Sequence, residues 1–155
     1  MTTLEDSQQW LDESLSKIPD ETRGNLETKV EPLRVVWHRG VPMRGWRQSA
    51  WIRERLTEAQ LVLIDSPSIP PYREHALILA LQNCKSAVII VDDVNIPTVR
   101  RFCDRLANSN PELSHFFTPK DHGLFIFISD SSKKLQSGRE LIESIRCWRR
   151  FLLFR

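Results

Sequence analysis

Glycine is scarce in this sequence, and the few glycines are spread along the chain. The 155 residues include five glycines, and no two of them form a G-x-G motif. The sequence therefore lacks both the dinucleotide-binding fingerprint and a glycine-rich phosphate loop. Gly40 and Gly45 have the outer spacing of a Walker A loop, but Trp46 and Arg47 follow where lysine and serine or threonine belong. Nucleoside triphosphate binding by that loop is excluded.

Cysteines and long apolar runs are also few. Cys84, Cys103 and Cys147 lie far apart without a C-x-x-C pair, so they predict small apolar residues rather than a disulfide framework or a zinc site. The longest apolar run is six residues, 76–81, which is too short to span a bilayer. The opening Met-Thr-Thr-Leu-Glu-Asp has no basic or apolar region of a secretory signal, and this predicts a cytoplasmic protein.

The charge is small overall and unevenly distributed. Residues 1–31 hold eight acids and three bases, whereas residues 133–155 hold seven bases and two acids, and the net charge is +2. Such a charge does not predict nucleic-acid binding by the body of the chain. Two local features leave other interpretations open. The basic end of the sequence favours binding to an anionic membrane surface, binding to a partner, or a terminal helix that packs on the sheet. Trp37, Trp46 and Trp51, with arginines among them, favour base stacking or a partly buried loop.

Apolar spacing predicts an alternation of strands and helices. Strands with both faces apolar are typical of a parallel sheet covered by helices, so we expect an α/β fold with a doubly wound, mostly parallel, Rossmann-like sheet. We expect this domain over residues 1–132, followed by a basic C-terminal helix over 133–155. Residues 19–29 and 38–47 are predicted to be loops. The predicted helices cover 6–18, 50–58, 73–83 and a segment from 97. The predicted strands cover 3–5, 33–37, 61–64, 87–91 and the two flanks of 119–123, which we expect to form a hairpin or to be joined by a loop.

Acidic residues follow two of the predicted strands. Asp65 comes directly after LVLI, and Asp92 and Asp93 come directly after AVIIV. If these strands are parallel neighbours about 4.8 Å apart, the carboxylates converge and need protonation, a lysine or arginine partner, or a divalent cation. Mg²⁺ prefers such oxygen ligands. The alternative is that one aspartate caps the next helix while the others are solvated.

Glu5 lies where a short strand meets the first helix. An acid in that place often binds both hydroxyls of a ribose. An acid in a first helical turn also interacts favourably with the helix dipole, and the residue alone does not decide between these two roles.

Several segments together resemble one family. TLEDSQQWLDESL (3–15) is similar to the second strand and following helix of class I S-adenosylmethionine-dependent methyltransferases. LVLIDSPS (61–68) resembles the fourth strand of that family, and AVIIVDDVNIPTVRRFCDRL (87–106) resembles its fifth strand and next helix. HFFTPKDHGLFIFIS (115–129) resembles its last two strands.

The resemblance implies a function and a site. Glu5 matches the acid that holds the ribose hydroxyls of S-adenosylmethionine, and Asp65 belongs to the same cofactor-binding edge. In the metal-dependent O-methyltransferases with this pattern, the acids matching Asp65, Asp92 and Asp93 bind Mg²⁺. The implied reaction is methyl transfer to a hydroxyl of a small molecule or glycan. No catalytic base is assigned.

The sequence departs from the family pattern in two places. Ser66 replaces the usual glycine, and the first strand with its glycine-rich loop is missing before Thr2. We therefore expect weak cofactor binding and an exposed apolar edge on LVLI. The chain is then a shortened or decayed copy, or a short protein that closes the gap by rearrangement or as a homodimer. The alternative function is a non-catalytic, methyltransferase-like interaction module.

Overall fold

The computed structural model describes residues 1–128 except positions 25, 39, 68, 86, 112, 120 and 121. The linker expected from 129 and the basic helix expected over 133–155 lie outside the described residues. No helix within the described part is long and apolar enough to cross a membrane.

Four of the five helices in the described residues lie where the sequence predicts them; the exception, Asp20–Arg23, lies in the predicted loop at 19–29. The hydroxyl of Ser7 accepts a hydrogen bond from the amide of Trp10, and the hydroxyl of Ser49 accepts one from Ile52, so serine begins two of the helices. Pro97 opens another at a position where its missing N–H costs nothing. A 3-10 turn at Pro70–Tyr72 leads into the fourth helix. The helices of the described residues are α1 (Gln8–Ser16), α2 (Asp20–Arg23), α3 (Ala50–Glu58), α4 (Arg73–Asn83) and α5 (Pro97–Ser109).

The strands form three separate sheets, so the expectation of one parallel Rossmann-like sheet is wrong. β1 pairs with β2 in parallel, β3 pairs with β4 in antiparallel, and the remaining strands form a mixed sheet of order β5-β6-β8-β7. Only β5 and β6 are parallel in the mixed sheet. The strands described are β1 (Thr2–Glu5), β2 (Glu27–Val30), β3 (Arg34–His38), β4 (Val41–Gly45), β5 (Leu61–Ile64), β6 (Val88–Val91), β7 (Ser114–Thr118) and β8 (Leu124–Ile128).

Short connections explain two of the antiparallel strand pairs, one of them outside the mixed sheet. Residues 39–40 alone join β3 to β4, and Gly40 has a φ of +79°. A two-residue turn joins antiparallel strands, whereas parallel neighbours need a crossover of a dozen or more residues. Residues 119–123 likewise make β7 and β8 a hairpin. The predicted loops at 19–29 and 38–47 are wrong because β2 and β4 are too polar or too rich in proline and arginine to resemble strands.

The core lies mainly on one face of the mixed sheet. Ile89 and Val91 of β6 and Phe125 and Phe127 of β8 project to this face and pack with α4 and α5. A smaller cluster of Ile90, Leu124 and Ile126 lies on the opposite face, as expected from alternation along the strands. These strands read as continuous apolar runs because both faces are buried.

A close contact joins α4 to β4. A Cβ atom placed on Gly45 would lie 2.3 Å from Nδ1 of His75, so no larger residue fits there without movement. Nδ1 of His75 is buried and has no hydrogen-bond partner among the described residues. Burial lowers the pKa of His75, and the charge of His38 lowers it further.

We expect the free energy of unfolding to fall as the pH drops through the range just below 6.5. The unfolded chain takes up a proton on His75 near its ordinary pKa of 6.5, while the folded chain does so only at lower pH. The unfolded state therefore binds more protons in this range, and acid favours it. Urea unfolding at about pH 7.5 and about pH 5.5 measures the loss. It should be smaller in His75→Gln, and an equal loss in both proteins would contradict the prediction.

Candidate functional site

The carboxyl ends of β5 and β6 lie side by side, as predicted. The two strands are parallel, with Leu61 opposite Val88 and Ile64 opposite Val91. The amide of Asp92 donates to the carbonyl of Ile64 at 3.1 Å, which continues the pairing to the residue after β6. Asp65 and the two aspartates after β6 therefore reach one edge of the sheet.

Arg73 supplies the positive charge at this edge. Its Nη2 lies 3.3 Å from Oδ1 of Asp65, and its Nη1 lies 3.0 Å from Oδ2 of Asp93. Nε donates to the carbonyl of Pro67 at 3.1 Å. The Arg73 side chain is only 6% exposed, so this is a buried counter-ion. Of the three ways to offset the aspartates, the structure contains the basic partner.

The sequence reasoning did not identify Arg73 as a site residue. The available signal was an arginine at the first position of a helix rich in alanine and leucine, separated by one residue from Pro70 and Pro71. A charge in that place usually lies on a solvated surface, and only the strand pairing shows that it faces two aspartates.

The loop after β6 holds Asp93 in an unusual backbone conformation. Asp93 has a φ of 59°, and its amide donates to Oδ1 of Asp92 at 2.8 Å. The amide of Val94 donates to the carbonyl of Gly123 at 3.1 Å. Gly123 also has positive φ, and a Cβ there would lie 2.6 Å from Oδ1 of Asn95. This loop is therefore fastened to the β7–β8 hairpin.

Glu5 is attached to the same edge through Ser66. The Ser66 hydroxyl donates to Oε2 of Glu5 at 2.9 Å, which places the end of β1 beside the end of β5. Burial raises the pKa of Glu5, the Ser66 hydrogen bond opposes this, and Asp6 and Asp65 raise the pKa further. Ser66 thus has a defined contact with Glu5 at this edge.

The pKa of the Asp65 carboxyl depends on its burial and on the charges around it. Desolvation raises its pKa, Arg73 lowers it, and the charges of Asp92 and Asp93 raise it again. The side chain is nevertheless 61% exposed, so a ligand can reach this carboxylate from solvent. We call the residues gathered here the strand-end site; its members are Glu5, Asp65, Ser66, Arg73, Asp92 and Asp93.

The strand-end site does not fit a divalent cation. The Arg73 guanidinium lies between the carboxylates of Asp65 and Asp93, where a shared metal ion would bind. Among the described residues, no group of three acid, histidine or cysteine side chains is arranged to hold a metal. Asp65, Asp92 and Asp93 are therefore brought to one edge as the sequence predicts, but their arrangement is not that of a Mg²⁺ site.

The other candidates from the sequence do not gather at this site. Trp37 is 71% exposed on β3, whereas the indole N–H of the buried Trp46 donates to the carbonyl of Glu31 and that of Trp51 donates to Glu27. These three tryptophans therefore have separate surroundings and do not form one stacking surface. The arginine at position 39 and the aspartate at 121 lie outside the described residues.

The cysteines described are structural. Cys84 and Cys103 are buried and unpaired, as the sequence predicts. Burial raises the pKa of Cys84 to about 11 and also raises that of Cys103, so neither thiol ionises readily near neutral pH. Cys147 lies outside the described residues.

Neither comparison with known proteins gives a match: no family model fits the chain, and a search of curated proteins finds no similar sequence. Function is therefore inferred from the strand-end site and from the segments that resemble methyltransferases.

Proposed function

We propose that the strand-end site binds S-adenosylmethionine and that the chain is an S-adenosylmethionine-dependent methyltransferase, acting on a hydroxyl of a small molecule or glycan. The observation that carries this proposal is the contact between Glu5 and Ser66 at 2.9 Å. It brings the acid matched to the ribose hydroxyls next to Asp65, at the carboxyl ends of parallel strands, where ligands of α/β proteins usually bind.

The charge of the site suits this ligand. The strand-end site contains four carboxylates and one guanidinium, so it is negative near neutral pH, and S-adenosylmethionine carries a sulfonium cation. Glu5 accepts hydrogen bonds from ribose hydroxyls after exchanging its Ser66 partner. When bound, the cofactor supplies an electrophilic methyl group, and the acceptor oxygen must lose its proton as it attacks.

We expect weak cofactor binding that depends on Glu5. Within the described residues, β1 and β5 belong to different sheets, so no strand between them supports the methionine end of the ligand. Isothermal titration of the full chain should give a dissociation constant of about 0.1–1 mM. Glu5→Gln should weaken binding about tenfold or more, because it removes a charge-assisted hydrogen bond.

The control for this titration is Glu13→Gln. Glu13 is an exposed acid on α1 that pairs with Lys17 at 2.8 Å, and its loss should leave binding unchanged. Micromolar affinity of the wild-type chain would contradict the expectation of weak binding. Equal affinity of wild type and Glu5→Gln would remove Glu5 from the site.

A second candidate function is an interaction module that associates with a second copy of itself. β5 is an edge strand of the mixed sheet and consists only of Leu-Val-Leu-Ile. Leu61 and Leu63 are 42% and 47% exposed. The carbonyls of Gln60 and Ile64 accept from β6, so the peptide groups of Leu61 and Leu63 face the outer edge. An apolar edge of this kind favours strand pairing between copies.

Leu63→Lys should abolish this association. A charge on an edge strand opposes pairing because it would be desolvated between two copies. Light scattering coupled to size-exclusion chromatography should give a dimer for wild type and a monomer for the variant. Val35→Lys, at an exposed position of β3, is the matched control and should leave the dimer intact. A wild-type monomer at high protein concentration would exclude this candidate.

A further inference from the structure

The guanidinium of Arg73 is held from several directions at once. Nη2 faces Asp65, Nη1 faces Asp93, and Nε donates to the carbonyl of Pro67. Nη1 is also 3.5 Å from the carbonyl of Asp92. A planar fork with five N–H donors matches this set of oxygen atoms, and a lysine ammonium would not reach them together.

The turn before Arg73 and the helix that begins at it fix the position of this residue. It is the first residue of α4, directly after the Pro70–Tyr72 turn, and its side chain is 6% exposed. The opposing carboxylate is equally constrained, because Asp93 lies in a loop fastened to Gly123. Neither partner can move away without disturbing a helix start or this loop.

This position is the one that a divalent cation would take. Mg²⁺ needs carboxylate oxygens at about 2.1 Å and tolerates little distortion. Here the two carboxylates approach the guanidinium at 3.3 Å and 3.0 Å, and a metal ion added between them would meet a fixed positive charge. The arginine and the metal therefore exclude each other.

We propose that Arg73 is a built-in replacement for a divalent cation: it positions Asp65 and Asp93, and the strand-end site takes its ligand without metal. Removing the guanidinium then opens a cation site formed by the same carboxylates. This inference does not depend on the identity of the ligand, so it stands or fails separately from S-adenosylmethionine binding.

The test is a Mg²⁺ titration of wild type and Arg73→Met after treatment with EDTA, followed by calorimetry and by the melting temperature. Wild type should show neither saturable binding nor a shift in melting temperature. Arg73→Met should show saturable Mg²⁺ binding and should melt several degrees higher with Mg²⁺. Adding Asp93→Asn to Arg73→Met should abolish this gain.

Arg105→Met is the matched control, because Arg105 pairs with the single carboxylate of Glu74 on the surface. It should gain no Mg²⁺ binding. If Arg73→Met is unfolded in EDTA, recovery of its helical circular dichroism with Mg²⁺ supports the proposal, and no recovery overturns it. A folded Arg73→Met that ignores Mg²⁺ also overturns it, as does saturable Mg²⁺ binding by wild type that Asp93→Asn removes.

Discussion

Replacing Arg73 with methionine is expected to lower the free energy of unfolding by about 3 kcal/mol in the absence of metal. The change leaves Asp65 and Asp93 close together without their counter-ion, and it removes the hydrogen bond from Nε to Pro67. Breaking a fully buried pair costs about 3–5 kcal/mol. The lower figure applies here because the Asp65 side chain reaches solvent. Urea unfolding in EDTA, followed by tryptophan fluorescence, measures the difference.

The Arg105→Met variant calibrates this result. The Arg105 side chain is 56% exposed and that of Glu74 is 20% exposed, and ion pairs that reach solvent contribute about 0–1 kcal/mol. If both arginine variants lose the same small amount, Arg73 is not the counter-ion of the strand-end site. Acid should narrow the gap in stability between wild type and Arg73→Met, because protonating Asp65 removes its repulsion of Asp93, which the variant leaves unopposed.

Replacing Phe127 with alanine is expected to cost about 3–5 kcal/mol, the usual range for a fully buried phenylalanine. Phe127 has no exposed surface and lies in β8, the strand that pairs with both β6 and β7. Its ring stacks on Phe125 with centroids 4.8 Å apart. The lost ring therefore leaves a cavity at the centre of the mixed sheet. Equilibrium unfolding in urea measures the loss.

Trp37→Ala is the control for the Phe127 experiment. It removes an even larger aromatic side chain, but from an exposed position on β3, and should change stability by no more than about 0.5 kcal/mol. Comparable losses in the two variants would mean that the packing of the mixed sheet does not determine stability.

The helices and strands that carry a cap, a starting proline or an apolar run were predictable because each of these signals lies within the element itself. Ser49 and Pro97 begin helices at the expected positions, and LVLI forms a strand over the expected residues. The division of the strands into three sheets was not, because an apolar run shows that a strand is buried and not which sheet it belongs to.

The candidate site also has features that the sequence predicts and features that it does not. The gathering of Asp65 with Asp92 and Asp93 was predictable, since acids that end neighbouring parallel strands must converge. The counter-ion was not, because Arg73 reaches these acids only through the packing of α4 on the sheet. The Ser66 contact with Glu5 also joins residues 61 positions apart, and no spacing rule reports such a pair.

The hydrogen bonds between the loop after β6 and the β7–β8 hairpin limit which insertions and deletions this protein can accept. The amides of Val94 and Asn95 donate hydrogen bonds to the carbonyls of Gly123 and His122, so the hairpin positions the loop that carries Asp93. A residue inserted or deleted within 119–123 would shift those two carbonyls and displace an acid that lies far away along the chain. Surface turns usually tolerate changes in length. A change in the length of this turn would instead move the loop that carries Asp93.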